Sequence, residues 1–119
     1  MKILVCDDDK AVLSTVRFKL SRENLGEVMT AADGREAIAL LKHHDFDLIM
    51  TDINMPFASG LEITTFVRQK LGKKTPILVL SAEGLEDTVL QAFELGADDF
   101  VAKPFSLGEL VLRVKRLIR

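Results

Sequence analysis

No tryptophan, no tyrosine and only one cysteine occur in the 119 residues of this chain. A single thiol, Cys6, excludes an internal disulfide, and a cytoplasmic, reducing setting is the simplest expectation. No apolar run approaches the roughly 18 residues needed to cross a bilayer. The amino terminus lacks the basic-apolar-small layout of a secretory signal, so no membrane partner is expected. With a net charge of −2 there is no global basic field, and no nucleic acid is expected to bind this segment itself. Phenylalanine, seven times over, is the whole Phe/Tyr/Trp complement and is expected mostly in the core.

What is present is 48% hydrophobic and 29% charged, the balance of a soluble globular protein. The length suits one domain, residues 1–119, with a single substantial core. Short apolar runs at Lys2–Cys6, Glu27–Ala31, Asp47–Ile53, Pro76–Ser81 and Asp99–Ala102 predict strands. Longer segments between them have helical spacing, as in Leu107, Leu110, Val111, Val114, Leu117 and Ile118. Asp33 to Glu36, Ser59 to Glu62 and Ser106 to Glu109 each set a capping side chain three residues before a Glu. Gly72 and Gly96 mark helix ends. Five β-α units follow, with strands starting about 20–30 residues apart, and they predict a doubly wound α/β parallel sheet with helices on both faces.

In such sheets ligands bind beyond the carboxyl ends of the strands. Strand one ends in Asp7-Asp8-Asp9, strand three in Asp52, strand four in Ser81 and strand five in Lys103-Pro104. Each has an ordinary alternative. An Asp after a strand caps the next helix, which is the role expected for Asp9, and Asp52-Ile-Asn-Met-Pro56 reads as a turn. Four such residues on one sheet edge outweigh those readings. Crowded carboxylates call for a cation, and oxygen ligands suit Mg²⁺ or Mn²⁺. A carboxylate nucleophile beside a metal and a lysine fits phosphoryl transfer.

With Ile3-Leu-Val-Cys-Asp-Asp-Asp9, Asp52-Ile-Asn-Met-Pro56, Gly60, Ser81-Ala82 and Gly96-Ala-Asp-Asp-Phe-Val-Ala-Lys-Pro-Phe105, the chain resembles a response-regulator receiver domain of two-component signalling. The resemblance implies a flavodoxin-like (βα)5 fold with strand order 2-1-3-4-5. It implies a signalling domain, not an enzyme acting on a separate substrate. Asp52 would be the phosphoacceptor, taking its phosphoryl group from a sensor histidine kinase or phosphotransfer protein. Asp8, Asp52 and the Asn54 carbonyl would hold Mg²⁺, with Asp7 acting through a water. Lys103 and Ser81 would contact the phosphoryl group, and Phe100 would be the switch aromatic, without the hydroxyl many relatives carry. Asn54 and Glu83 stand where such proteins tune hydrolysis. The Lys103–Pro104 bond is expected cis.

By the same resemblance, helix four, strand five and helix five form the output face and a symmetric phosphorylation-dependent homodimer. Glu94 and Asp99 would meet Lys115 and Arg113, with Val89, Leu90, Phe93 and Leu112 as apolar contacts. Val89 stands where a basic residue is common. The terminal Leu110–Arg119 stretch resembles regulators that control transcription through a DNA-binding domain outside this chain. A stand-alone receiver acting by protein–protein contact is the alternative. A haloacid-dehalogenase-like phosphohydrolase fits less well, because its nucleophile closes the first strand. A flavodoxin-like binder would set a flavin phosphate against three acids, and a pseudo-receiver would lack an acid or the lysine. Adjacent His43 and His44 diverge on a helix and suit its negative end better than a metal. Lys70, Lys73 and Lys74 read as a solvated helix end.

Overall fold

The computed structural model describes residues 1–82 and 86–118. The order is β1 (Lys2–Cys6), α1 (Lys10–Arg22), β2 (Glu27–Ala31), α2 (Gly34–His43), β3 (Leu48–Asp52), α3 (Gly60–Thr65), β4 (Ile77–Ala82), α4 (Glu86–Leu95), β5 (Asp99–Lys103) and α5 (Leu107–Ile118). The strands form one parallel sheet in the order β2-β1-β3-β4-β5, as expected.

Alternation along the strands divides the core in two. Ile3, Val5, Leu48, Met50, Leu78 and Leu80 face α1 and α5, where Leu13, Val16, Leu20, Leu110 and Val114 meet them. Leu4, Cys6, Ile49, Ile77 and Val79 face the opposite way, onto Ala37, Leu41, Ile63, Val67 and Ala92. Strands covered on both faces therefore read as unbroken apolar runs. Burial pushes the Cys6 thiol far up, which makes it an inert core residue.

The helix starts behave as their sequences predict. Asp9 caps α1 by accepting from Ala11 N–H and Val12 N–H, and Asp33 accepts from Glu36 N–H. Ser59 and Glu62 complete a reciprocal capping box. The third helix ends at Gly72 as expected, but it changes its winding first. After Thr65 the chain widens into a π-helical turn, Phe66–Lys70, before Gly72 stops it. Arg68 on that turn donates to the carbonyls of Lys73, Thr75 and Gly96 and to Asp98, whose carboxylate also accepts from Ile77 N–H. Lys70 and Lys74 are exposed, as expected of a solvated helix end, and Lys73 pairs at the surface with Asp45. Lys42 and His43 lie in the last turn of α2, and His44 caps it with Lys2 Nζ 3.2 Å from its Nδ1.

Two expectations are overturned. Of the phenylalanines only Phe46 is fully buried, while Phe18, Phe57, Phe93 and Phe100 are exposed. Val89 packs inward against the sheet and cannot serve as an outer contact. The inner face of α4 needs only Val89 and Ala92, so Leu90 and Phe93 turn to solvent.

Candidate functional site

The strand register brings the acids together. β1 and β3 are neighbours, with Cys6 opposite Thr51, so Asp7 and Asp52 leave adjacent strands side by side. Carboxylate oxygens of Asp7, Asp8 and Asp52 lie within 4.8 Å of one another. At an effective dielectric near 20, two carboxylates ~4 Å apart repel by roughly 4 kcal/mol.

Lys103 offsets part of that repulsion. Its Nζ donates to Asp7 Oδ2 at 2.7 Å and to Asp52 Oδ2 at 3.1 Å. Asp7 is wholly buried, and its Oδ1 accepts from Asp9 N–H at 2.9 Å. Burial pushes the Asp52 carboxyl above its ordinary value, and the bond from Lys103 opposes this only in part. Burial draws the Lys103 ammonium down, but its bonds to Asp7 and Asp52 outweigh it and leave the net shift upward.

Asp8 is exposed and joins no hydrogen bond or ion pair among the described residues. Three ionised carboxylates against one ammonium leave two negative charges uncompensated, the charge of one divalent cation. All the donors are oxygens and one is open to water, so the set fits Mg²⁺ or Mn²⁺.

The β3–α3 loop closes tightly around Asp52. Gly60 N–H donates to Ile53 O at 2.8 Å, and a Cβ at Gly60 would stand 2.4 Å from the Asp52 carbonyl oxygen. Asn54 lies exposed on this loop, two residues past Asp52. Ser81, buried on β4, donates its hydroxyl to Ala82 O at 3.0 Å. Phe100 points outward with its edge against Phe93, ring centroids 6.1 Å apart. Glu83 lies outside the described residues. The Lys103–Pro104 bond is cis. Beside Lys103, between α1 and the β5–α5 turn, runs a mostly apolar groove of about 320 Å³ that includes Val12, Thr15, Phe105 and Leu107.

On the face formed by α4, β5 and α5, Arg113 forks onto both oxygens of Asp99 at 3.1 Å and reaches Glu109 at 3.3 Å. Two of the four charges expected to act between chains, Asp99 and Arg113, are therefore paired within one. Leu90, Phe93 and Leu112 are exposed beside them. Sequence reasoning missed Arg35, whose guanidinium stacks on the Phe57 ring of the loop that follows Asp52. An Arg in a helix and a Phe in a loop 22 residues on carry no local signal of that contact.

No helix among the described residues is long and apolar enough to cross a membrane. The chain is 45% identical over 118 residues to the Bacillus subtilis transcriptional regulatory protein ResD, covering 99% of this chain and 48% of ResD. It thus spans about half the length of the curated relatives it matches. The solved chemotaxis response regulator CheY4 of Vibrio cholerae superposes with TM-score 0.89 at 37% identity, over 98% of this chain and 97% of that one. DrrB, described as a Thermotoga maritima OmpR/PhoB homologue, superposes with TM-score 0.85 at 36% identity, over 97% of this chain and 51% of its own. The sequence also matches the response regulator receiver domain family over residues 3–115. A cluster of acids at the sheet edge, on a fold shared with these regulators, leads to the same assignment: the chain belongs to the response regulator receiver domain family.

Proposed function

We propose that Asp52 accepts a phosphoryl group from a phosphohistidine of a sensor histidine kinase or phosphotransfer protein. The observation that carries this reading is Lys103 bridging Asp7 and Asp52 beside the open Asp8 carboxylate. An Asp52 oxygen attacks phosphorus; the new P–O bond forms as the P–N bond breaks, and the imidazole leaves with a proton. Lys103 follows the charge onto the transferred oxygens. Asp7, Asp8, Asp52 and the Asn54 carbonyl would hold Mg²⁺, which when bound neutralises charge on those oxygens. The groove beside Lys103 opens next to the acceptor and suits a helical phosphodonor. The domain thereby catalyses only its own phosphorylation and dephosphorylation, with Asn54 and Glu83 tuning the second step.

Ser81 then exchanges the Ala82 carbonyl for a phosphoryl oxygen, and Phe100 turns inward from its place against Phe93. That motion alters the face formed by α4, β5 and α5. The exposed Leu90, Phe93 and Leu112 there support a homodimer, and ResD's name supports transcription control as the output. A DNA-binding domain in the full-length protein and a cytoplasmic setting complete the reading. Residues 1–119 form its receiver domain.

The test is incubation with acetyl phosphate plus Mg²⁺ followed by intact mass, and with beryllofluoride plus Mg²⁺ followed by NMR. The wild type gains one phosphoryl group, and Asp52→Asn gains none. Labelling that survives Asp52→Asn sinks the assignment.

A further inference from the structure

The β3–α3 loop contains one strained residue. Phe57 has φ +72°, and Ala58 N–H donates to Pro56 O at 2.9 Å across it. This is a γ-turn of the rare, strained hand, usually accommodated by glycine. Phe57 is 67% exposed, so little burial offsets the strain. The Arg35 guanidinium stacks over the ring, 3.8 Å from its centroid. An exposed cation–π contact returns less than a left-handed phenylalanine costs. Strain that stability does not explain points to function.

The same turn is gripped a second time. Pro56 O also accepts from Gly34 N–H at 3.0 Å, at the first residue of α2. The approach is close enough that a Cβ at Gly34 would stand 2.2 Å from Ala58 O. Upstream, Ile53 is fixed by its N–H to Leu80 O and its carbonyl to Gly60 N–H. Asn54 and Met55 are therefore held between two anchors, Ile53 on the sheet and Pro56–Phe57 on α2, and the Asn54 backbone N–H is turned to the Asp52 carboxylate. Those anchors fix the backbone on either side of Asn54.

We propose that Arg35 is a positioning residue for the cation site. Its stack on Phe57 holds the strained turn and thereby keeps the Asn54 carbonyl aimed where the ion binds. The inference rests on the Mg²⁺ reading of Asp7, Asp8 and Asp52 given above. It also runs against simple electrostatics. Removing a positive charge should by itself leave Mg²⁺ binding unchanged or tighter, whereas loss of a positioning contact should loosen it.

The test is Mg²⁺ titration by calorimetry, on the whole chain, of the wild type, Arg35→Gln, Phe57→Ala, Phe57→Gly and the Arg35→Gln/Phe57→Gly pair. Circular dichroism confirms that each is folded. Arg35→Gln and Phe57→Ala, which lose the stack but keep a side chain in the left-handed turn, should bind Mg²⁺ about two- to fivefold more weakly. Phe57→Gly, which adopts the turn without strain, should bind like the wild type. Adding Arg35→Gln to it should then cause no further loss. Unchanged or tighter binding by Arg35→Gln overturns the proposal. So does an equal loss in both backgrounds, since Arg35 would then act without Phe57. A wild type that takes up no Mg²⁺ overturns the metal reading together with this one.

Discussion

Lys103 and Asp7, 96 positions apart in the chain, are joined by a 2.7 Å hydrogen bond. β3 and β4 lie between their strands, so the lysine reaches back over Asp52 to a wholly buried carboxylate. The bond makes the acid edge one electrostatic unit. Anything that alters one member alters the others.

Removing the lysine leaves Asp7 buried and unpaired. Lys103→Met should destabilise the metal-free protein by roughly 3 kcal/mol, the low end for a broken buried pair because Lys103 is partly exposed. Adding Asp7→Asn should recover most of the loss. Urea denaturation in EDTA measures both, and additive penalties would count against the coupling.

Mg²⁺ should raise the melting temperature by binding the native state alone, by about 2.7 kcal/mol of stability at one hundred times its dissociation constant. Asp8→Ala should abolish the rise without weakening the metal-free protein, because Asp8 has no partner among the described residues to lose. A wild-type melting curve indifferent to Mg²⁺ would remove the site.

The raised pKa of Asp52 sets a pH dependence. Just above the ordinary carboxylate range the unfolded chain releases this proton while the folded chain keeps it. Stability contributed by Asp52 therefore falls as pH rises from the unfolded value through the folded one. Ionised Asp52 costs the metal-free fold at neutral pH. Asp52→Asn should raise the urea midpoint at pH 7 in EDTA, with an advantage that shrinks toward pH 3. A wild type more stable than the variant at pH 7 would contradict this.

Gly60 is fixed by contact with the Asp52 backbone, where a Cβ would intrude to 2.4 Å of a carbonyl oxygen. Gly60→Ala should cost roughly 1–3 kcal/mol, as overpacking does. Because the clash falls on Asp52 itself, Mg²⁺ affinity should drop with it. A calorimetric titration showing wild-type affinity would separate the loop from the site.

Beryllofluoride with Mg²⁺ should convert the chain from monomer to dimer in equilibrium sedimentation. Leu112→Arg should block that conversion, since Leu112 is exposed on the α4–β5–α5 face. An unchanged wild-type monomer would end the dimer reading.

Much of this protein was written in local sequence. The five apolar runs became five strands, two of them at the expected residues and the other three within a residue or so. Asp9, Asp33, Ser59 and Ser106 capped as their spacing predicts, because capping joins residues two or three apart. The acids, Ser81 and Lys103 were legible because chemistry in a parallel sheet gathers where strands end.

Other features depended on which residues the folded chain brings together. α4 carries Val89, Leu90, Ala92, Phe93 and Leu95, apolar nearly all round, so only packing against the sheet turned Val89 inward. Asp99 and Arg113 could have served a second chain until the α5 register placed them together. The Arg68 network, the Arg35–Phe57 stack and the Lys103 bridge join residues 5 to 96 positions apart. Local propensity acts over a few residues, so the sequence alone determined the strands, the caps and the site's ingredients. Tertiary structure decided which charges neutralise one another, because a pairing energy exists only once the fold has closed the distance.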